Sequence, residues 1–261
     1  MNLVDNSRQE FYFFVAFLMG KNADTYEQIA LAEMTAWLME VTQRPGVVGI
    51  VTSGAQQVIN TIIPDKVHQA ITYAMEKMVK AVLIGNQYFT GSPLISGTLE
   101  ERELKVRDVI TIYQRTASVE GAVTGAGGIL LGLADLPAFL MIKMKMLFEI
   151  ARLYGYDTKT LHERIFLLYV FKLTFSSQES RNETIKLLEN WGDYVGKYPD
   201  HIEAFDWRAF QLAYRDYLDL AKLLQLIPVI GAGVGAVTNY KLSAKLGYFA
   251  MQSFRMRYFD V

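Results

Sequence analysis

The histidine, serine and cysteine content of this 261-residue chain limits the chemistry that its sequence can support. The three histidines, His68, His162 and His201, are far apart and form no HExxH or HxxxH motif, so no metal site is predicted. No serine lies in a GxSxG motif. The chain has no cysteine, which excludes thiol nucleophiles, disulfides and iron–sulfur clusters. The motifs therefore predict no catalytic residue and no cofactor.

Asp135 is the acidic residue with the most apolar sequence around it. It is the one charged residue of segment 121–142, and Pro137 follows it two positions later. One interpretation is that Asp135 caps a helix that begins at Leu136, with Pro137 in its first turn. The alternative is a carboxylate whose pKa is raised by burial and which acts on, or gates, a ligand.

Glu149 is the second candidate acid. Lys145, Glu149 and Arg152 have the spacing of one charged row on a helix, which favours pairing at the surface or between helices. An enzyme, for example a hydrolase, could instead use Asp135 or Glu149 in a buried pocket with a histidine or lysine from elsewhere in the fold. This interpretation stays open as an alternative.

Four glycines between positions 121 and 132 define a bare helix face. At about 100° per residue they fall within an arc of roughly 60°. Each interior glycine costs about 0.5–1 kcal/mol relative to alanine, so something must approach that face closely. The candidates are another helix backbone and an apolar ligand or acyl chain. The predicted groove residues are Gly121, Gly125, Gly128, Gly132, Asp135 and Glu149.

The C-terminal segment interleaves aromatic side chains with arginines. Such a mixture is typical of a helix at a membrane interface or in the groove of a partner protein. The alternative is a core helix whose arginines extend outward to solvent. The surface candidates are Phe254, Arg255, Arg257, Tyr258 and Phe259.

The elements that must position these residues are helices. Hydrophobic residues make up 51% of the chain, and 26 Lys+Arg balance 27 Asp+Glu, which excludes a disordered chain and a basic nucleic-acid-binding surface. We predict an all-α, single-domain, multi-helix bundle over residues 1–261, with a buried glycine-rich helix hairpin at its centre. Apolar periodicity and cap signals place the helices at roughly 5–19, 24–43, 46–61, 64–84, 98–116, 117–134, 136–154, 158–175, 177–197, 202–224 and 228–258.

Segment 121–142 is long enough to span a bilayer, which needs about 20 apolar residues. Asp135, Pro137 and the glycines argue against insertion, because a buried charge and a helix-breaking proline are both unfavourable there. A buried hairpin within the bundle is therefore expected. An integral membrane protein with a 121–142 hairpin stays open as an alternative.

Three blocks of the sequence resemble the EcsC family, in the expected order. The first comprises residues 64–68 and 78–85, and the second comprises GAVTGAGGILLGLADLPAFL and residues 148–157. The third is IPVIGAGVGAVTN at 227–239. The resemblance spans roughly residues 27–258. The matching signature positions are Gly121, Gly125, Gly127, Gly128, Asp135, Pro137, Glu149, Tyr154 and Gly155.

The resemblance implies a cellular context, next to a transporter, but no particular reaction. The family is named for a bacterial gene beside the two components of an ABC transporter linked to protein secretion, and it brings no catalytic set. The leading hypothesis is a non-catalytic, cytoplasmic helical protein, peripheral on the inner face of the plasma membrane. It would bind lipid or an apolar ligand, or assist a transporter or secretion system. The expected partners are the membrane surface or lipid and ABC transporter components, but not nucleic acid.

Overall fold

The computed structural model describes residues 25–42, 65–85, 91–126, 128–199, 202–206, 210 and 231–261. Within these ranges the side chains of residues 25, 65–68, 120–134, 202 and 231–235 are not described. The helices predicted at 5–19 and 46–61, and most of the one predicted at 202–224, lie outside the described residues.

The described residues form eight α-helices and no strand, which confirms the prediction of an all-α protein. A short 3₁₀-helix, Ile202–Ala204, lies between the last two α-helices. The α-helices are α1 Thr25–Thr42, α2 Asp65–Ile84, α3 Leu99–Ala126, α4 Gly128–Tyr154, α5 Leu161–Phe175, α6 Gln178–Glu189, α7 Trp191–Val195 and α8 Gly231–Phe259. Among them, no helix is both long and apolar enough to cross a membrane.

Local cap chemistry explains several helix ends. At the start of α3, Thr98 and Glu101 form a reciprocal capping box, with N···O distances of 3.2 Å and 3.0 Å. Thr160 caps α5 by accepting the backbone N–H of Glu163. Gly155 ends α4 with a φ of +95°, and a Cβ there would lie 3.1 Å from the carbonyl oxygen of Leu94. Only glycine fits this turn without strain.

Helix α3, which ends at Ala126, and helix α4, which begins at Gly128, pack against each other in antiparallel orientation. The hydroxyl of Tyr154 donates to Glu103 at 2.8 Å, and the hydroxyl of Tyr113 donates to Glu149 at 2.8 Å, so the two helices run side by side in opposite directions. The predicted break near residue 116 is wrong, because α3 continues to Ala126. Burial of the glycine face lies outside the described side chains and stays a prediction.

The predicted helix start at Leu136 is also wrong. Helix α4 runs without a break from Gly128 through Asp135 and Pro137 to Tyr154, and Asp135 is exposed in its interior. Asp135 is therefore not an N-cap. The side chains of Leu136 and Phe139 are buried, and their packing outweighs the local stop signal of the proline.

The core is organised around α5 and α8. Helix α5 buries thirteen of its fifteen residues, including the two cations Arg164 and Lys172. Helix α8 packs against α1, α3, α4 and α5 and so connects both halves of the described chain. A helix buried on most sides must satisfy or neutralise its charged groups internally, and this requirement shapes both sites described next.

Candidate functional site

Glu103 of α3 is a carboxylate in the core, with no exposed surface. Arg255 of α8 donates to both of its oxygens, from Nε at 2.7 Å and from Nη2 at 2.6 Å. The hydroxyl of Tyr154 donates to Oε1 at 2.8 Å, and that of Tyr26 donates to Oε2 at 2.6 Å. These residues form the Glu103 network, which joins α1, α3, α4 and α8.

The electrostatics of the Glu103 network favour one fixed charge state. Burial alone would raise the pKa of Glu103, but the hydrogen bonds and charge of Arg255 outweigh it and hold that pKa below its ordinary value. Burial, together with donation to Glu103, raises the pKa of Tyr26 to about 12. A carboxylate that stays ionised with four donors around it holds no exchangeable proton at neutral pH. We therefore assign this network to the architecture of the fold.

The structure corrects part of the predicted C-terminal surface. Phe254, Arg255 and Phe259 are buried, so none of them offers a membrane or partner surface. The physical reason is that α8 is surrounded by other helices, and Arg255 is paired within the core instead of extending outward.

The last two surface candidates are held by carboxylates of other helices. Arg257 makes a two-point contact with Glu163, with N···O distances of 2.6 Å and 2.7 Å, and its guanidinium lies 3.7 Å from the centre of the Tyr156 ring. Tyr258 is exposed and donates to Glu27 at 2.6 Å. Of the five candidates, Tyr258 is the one with an exposed side chain.

Asp135 and Glu149 do not meet in a shared site. Asp135 is exposed, and Glu149 is half-buried and accepts a hydrogen bond from Tyr113. Fourteen residues along one helix separate them by about 21 Å. Neither residue lines the pocket described next. At the groove glycines the structure describes a helical backbone but does not describe which residues lie around them.

A pocket of about 620 Å³ opens between α5, α6, α7 and the chain that follows α7. This volume is within the range of about 300–1,000 Å³ that small-molecule sites occupy. In the part of the chain that the structure describes, five aromatic rings from α5, α7 and the chain after α7 line it, and we call it the aromatic pocket. The rings are those of Tyr169, Tyr194, Tyr198, Phe205 and Phe210.

The three tyrosine hydroxyls of the aromatic pocket form a chain. The hydroxyl of Tyr169 is hydrogen-bonded to that of Tyr194, which lies 2.8 Å from the hydroxyl of Tyr198. The Tyr169 and Tyr194 rings meet edge to face at 5.5 Å between centroids. Burial and the hydrogen bond to Tyr194 raise the pKa of Tyr169, so its hydroxyl stays protonated at neutral pH.

Lys172 supplies a cation to the wall of this pocket. It follows Tyr169 on α5, is only 4% exposed, and places its Nζ 5.3 Å from the centre of the Tyr169 ring. Burial lowers the pKa of Lys172 to about 8, an effect that the charge of Glu183 partly offsets. The other charged side chains of the lining, Glu183, Lys197 and Asp206, are exposed.

Sequence reasoning missed the aromatic pocket. One signal was present: Lys172 is the one charged residue in the apolar run 165–175. Nothing local indicated that Tyr194, Tyr198 and Phe210 would meet this lysine's helix, because their contacts depend on how α5, α6 and α7 pack.

Comparison with known proteins places these features in a family context. The model of the EcsC protein family matches residues 28–259, which include the aromatic pocket and the Glu103 network except for Tyr26. Protein EcsC of Bacillus subtilis (strain 168) is 40% identical over 234 residues, which cover 89% of this chain and 96% of that protein. The uncharacterized protein YdbA of the same strain is 29% identical over 204 residues, covering 70% of this chain and 75% of that protein. No solved structure matches this chain.

Proposed function

This chain belongs to the EcsC protein family, and we propose from that premise that it is a non-catalytic helical protein that binds an apolar or amphipathic ligand at the membrane surface. The observation that carries the proposal is the aromatic pocket, with its volume of about 620 Å³. Ligand sites of this size combine mostly apolar walls with a few polar groups that fix orientation. Five rings and one buried lysine fit that description.

The composition of the pocket favours binding over hydrolysis. Aromatic rings offer large apolar contact areas, and their hydroxyls can orient a ligand without reacting with it. The hydrolase alternative requires Asp135 or Glu149 inside a pocket. In the described residues, Asp135 faces solvent and Glu149 is engaged by Tyr113.

Isothermal titration calorimetry with 1-octanol tests binding in the pocket. We expect saturable binding of one octanol per chain, because an eight-carbon chain can lie against the rings. The double variant Leu187→Trp/Ala204→Trp fills part of the pocket with two indole rings. It should weaken octanol binding at least about tenfold, because less volume remains for the ligand. The matched control is Ile29→Trp with Ile84→Trp, two exposed positions outside the pocket. Absence of binding, or equal binding by the narrowed variant, would contradict the proposal.

Support for a position at the membrane surface comes from the outer face of α3. Leu104, Ile112 and Val119 are 54%, 60% and 68% exposed. At 100° per residue they lie within an arc of about 80°. The same arc holds the exposed side chains of Asp108 and Arg115. Exposed apolar side chains mixed with charged ones on one helix face suit a membrane surface.

Vesicle flotation tests this location. We expect the protein to float with phosphatidylglycerol and with phosphatidylcholine vesicles, because the exposed apolar side chains of α3 enter the membrane interface. Ile112→Glu should abolish most of the flotation, whereas Ile84→Glu, which removes an exposed apolar side chain from α2, should leave it unchanged. Absence of flotation with both lipids, or flotation that persists in Ile112→Glu, would refute the membrane position.

Association with ABC transporter components belongs to the same proposal. It rests on the resemblance described above, and a membrane-facing α3 would bring the protein beside such a complex. If so, copurification of the transporter components should be lost in Ile112→Glu and retained in Ile84→Glu.

A further inference from the structure

We propose that the ligand of the aromatic pocket carries an anionic group, a carboxylate or a phosphate, which Lys172 binds against the buried wall of the pocket. The inference rests on the proposed function, since it names the chemical class of the ligand of that same pocket. Three features of the pocket carry it: the distribution of charge, the chain of hydroxyls, and the apolar remainder of the lining.

Charge is distributed unevenly in this pocket. Among the described residues, four charged side chains line it: Lys172 is buried, whereas Glu183, Lys197 and Asp206 are exposed. Exposed charges are screened by water and salt, and a buried charge acts through a medium of lower dielectric. An anionic group beside Lys172 therefore experiences a stronger attraction than the repulsion from the exposed carboxylates of Glu183 and Asp206.

The hydroxyl chain complements the same group. Tyr169, Tyr194 and Tyr198 line the pocket together with Lys172, and their hydroxyls are linked to one another. A hydroxyl can donate or accept, so such a chain can reorient its protons toward an anion, and linked donors strengthen one another. An ammonium with phenolic donors is a set that carboxylates and phosphates accept from.

The remainder of the pocket suits an apolar body. Leu187, Phe205 and Phe210 add aliphatic and aromatic surface to its lining. An anion of purely polar character would leave this surface in contact with water. An amphiphile, with one anionic group and an apolar chain or ring, matches both parts of the pocket.

Binding of an anion is predicted to be coupled to proton uptake. The pKa of Lys172 is lowered by burial to about 8, and an anion beside the amine would raise it. Among the described residues, the titratable groups that line the pocket with Lys172 are Tyr169 of its own helix, Glu183 of α6, Tyr194 of α7, and Lys197, Tyr198 and Asp206 of the chain beyond. Near pH 8 the complex should hold more protons than the free protein. The affinity for an anion should consequently fall as the pH rises above 8, by up to about tenfold per pH unit.

Calorimetry with three ligands of equal chain length tests the inference: octanoate, octyl phosphate and 1-octanol. At pH 7 we expect each anion to bind at least about tenfold more tightly than octanol, because a hydrogen bond to a charged group strengthens binding by about that factor or more. Titration at pH 8 in two buffers of different ionisation enthalpy should show proton uptake with the anions and none with octanol. A preference between octanoate and octyl phosphate would identify which anionic group the site accepts.

Variants at two lysines separate the buried cation from a general effect of charge. Lys172→Met should abolish the preference for anions and the proton uptake, whereas Lys186→Met, at an exposed position of α6 outside the pocket lining, should change the affinity less than about twofold. Lys172→Arg should keep the preference but lose its dependence on pH between 7 and 9.5, because a guanidinium stays charged. The arginine variant keeps the test decisive if the methionine variant does not fold.

The outcomes distinguish this inference from the proposed function. Equal binding of octanol and both anions, or an anion preference that survives in Lys172→Met, would overturn the role of Lys172 while the binding pocket stands. Failure of all three ligands to bind would overturn the proposed function itself.

Discussion

At the scale of single residues, the buried charges show how this core tolerates ionised groups. Glu103 is surrounded by donors from three other helices, and Arg255 donates to Glu33 at 2.8 Å in addition to Glu103. Removing one member of a buried pair leaves the other charge without compensation, which is far more destabilising than losing an exposed pair.

We predict that Glu103→Gln lowers the free energy of unfolding by about 3–5 kcal/mol, because the guanidinium of Arg255 then lacks its buried counterion. Urea denaturation followed by circular dichroism measures the change. Glu100→Gln is the matched control on the same helix, where an exposed carboxylate is lost and the expected change is below about 0.5 kcal/mol. Equal effects of the two substitutions would show that the Glu103 network contributes little to stability.

Lys172 gives a second prediction, on the dependence of stability on pH. Burial lowers its folded-state pKa to about 8, below its value in the unfolded chain, so the unfolded chain binds more protons between these two values. The free energy of unfolding should therefore rise from pH 7.5 to pH 9.5, by about 1–2 kcal/mol from this group. Lys172→Met should remove that rise, as measured by urea denaturation at both pH values. An identical pH dependence in the variant would mean that Lys172 is solvated in the folded protein.

At the scale of elements, α4 shows how packing overrides a local signal. Asp135 and Pro137 have the sequence of a helix start, yet the helix passes through both residues. Thr160, in contrast, is an N-cap in the structure and accepts the backbone N–H of Glu163 at 3.3 Å. The two positions form a natural pair for testing which residue contributes a cap.

We predict that Asp135→Ala changes the free energy of unfolding by less than about 0.5 kcal/mol, because an exposed side chain in a helix interior makes no capping bond. Thr160→Ala should cost about 1 kcal/mol, the usual value for a lost N-cap. Thermal or urea denaturation of both variants gives the comparison. A loss of about 1 kcal/mol in Asp135→Ala would restore the capping role that the structure contradicts.

At the scale of the whole molecule, α8 determines how the described helices hold together. It packs against α1, α3, α4 and α5, and its two arginines reach carboxylates on α3 and α5. A domain whose C-terminal helix contacts its first described helix cannot lose one end without disturbing the other.

We predict that the chain unfolds as one cooperative unit. Urea denaturation followed by tryptophan fluorescence and by far-ultraviolet circular dichroism should give superimposable transitions, since Trp37 of α1 and Trp191 of α7 lie in the same core. Two separated transitions would contradict the prediction of a single domain.

The sequence by itself determined the features that depend on neighbouring residues. Apolar periodicity predicted the helical class, and the cap residues Thr98 and Thr160 and the helix-ending Gly85 and Gly155 were readable because each acts on the backbone within a few positions. The sequence also predicted a helix hairpin within 121–142, but it placed the reversal at Asp135, which lies inside α4 in the structure.

Only the tertiary structure decided where the charges and aromatic rings go. Arg255 and Glu103 are 152 positions apart, and a lysine or arginine in an apolar run has the same sequence whether it extends to solvent or pairs in the core. The aromatic pocket likewise joins Lys172 to rings as distant as Phe210. Burial, which sets the strength of every such interaction, is a property of the packed helices, so no local pattern could have supplied it.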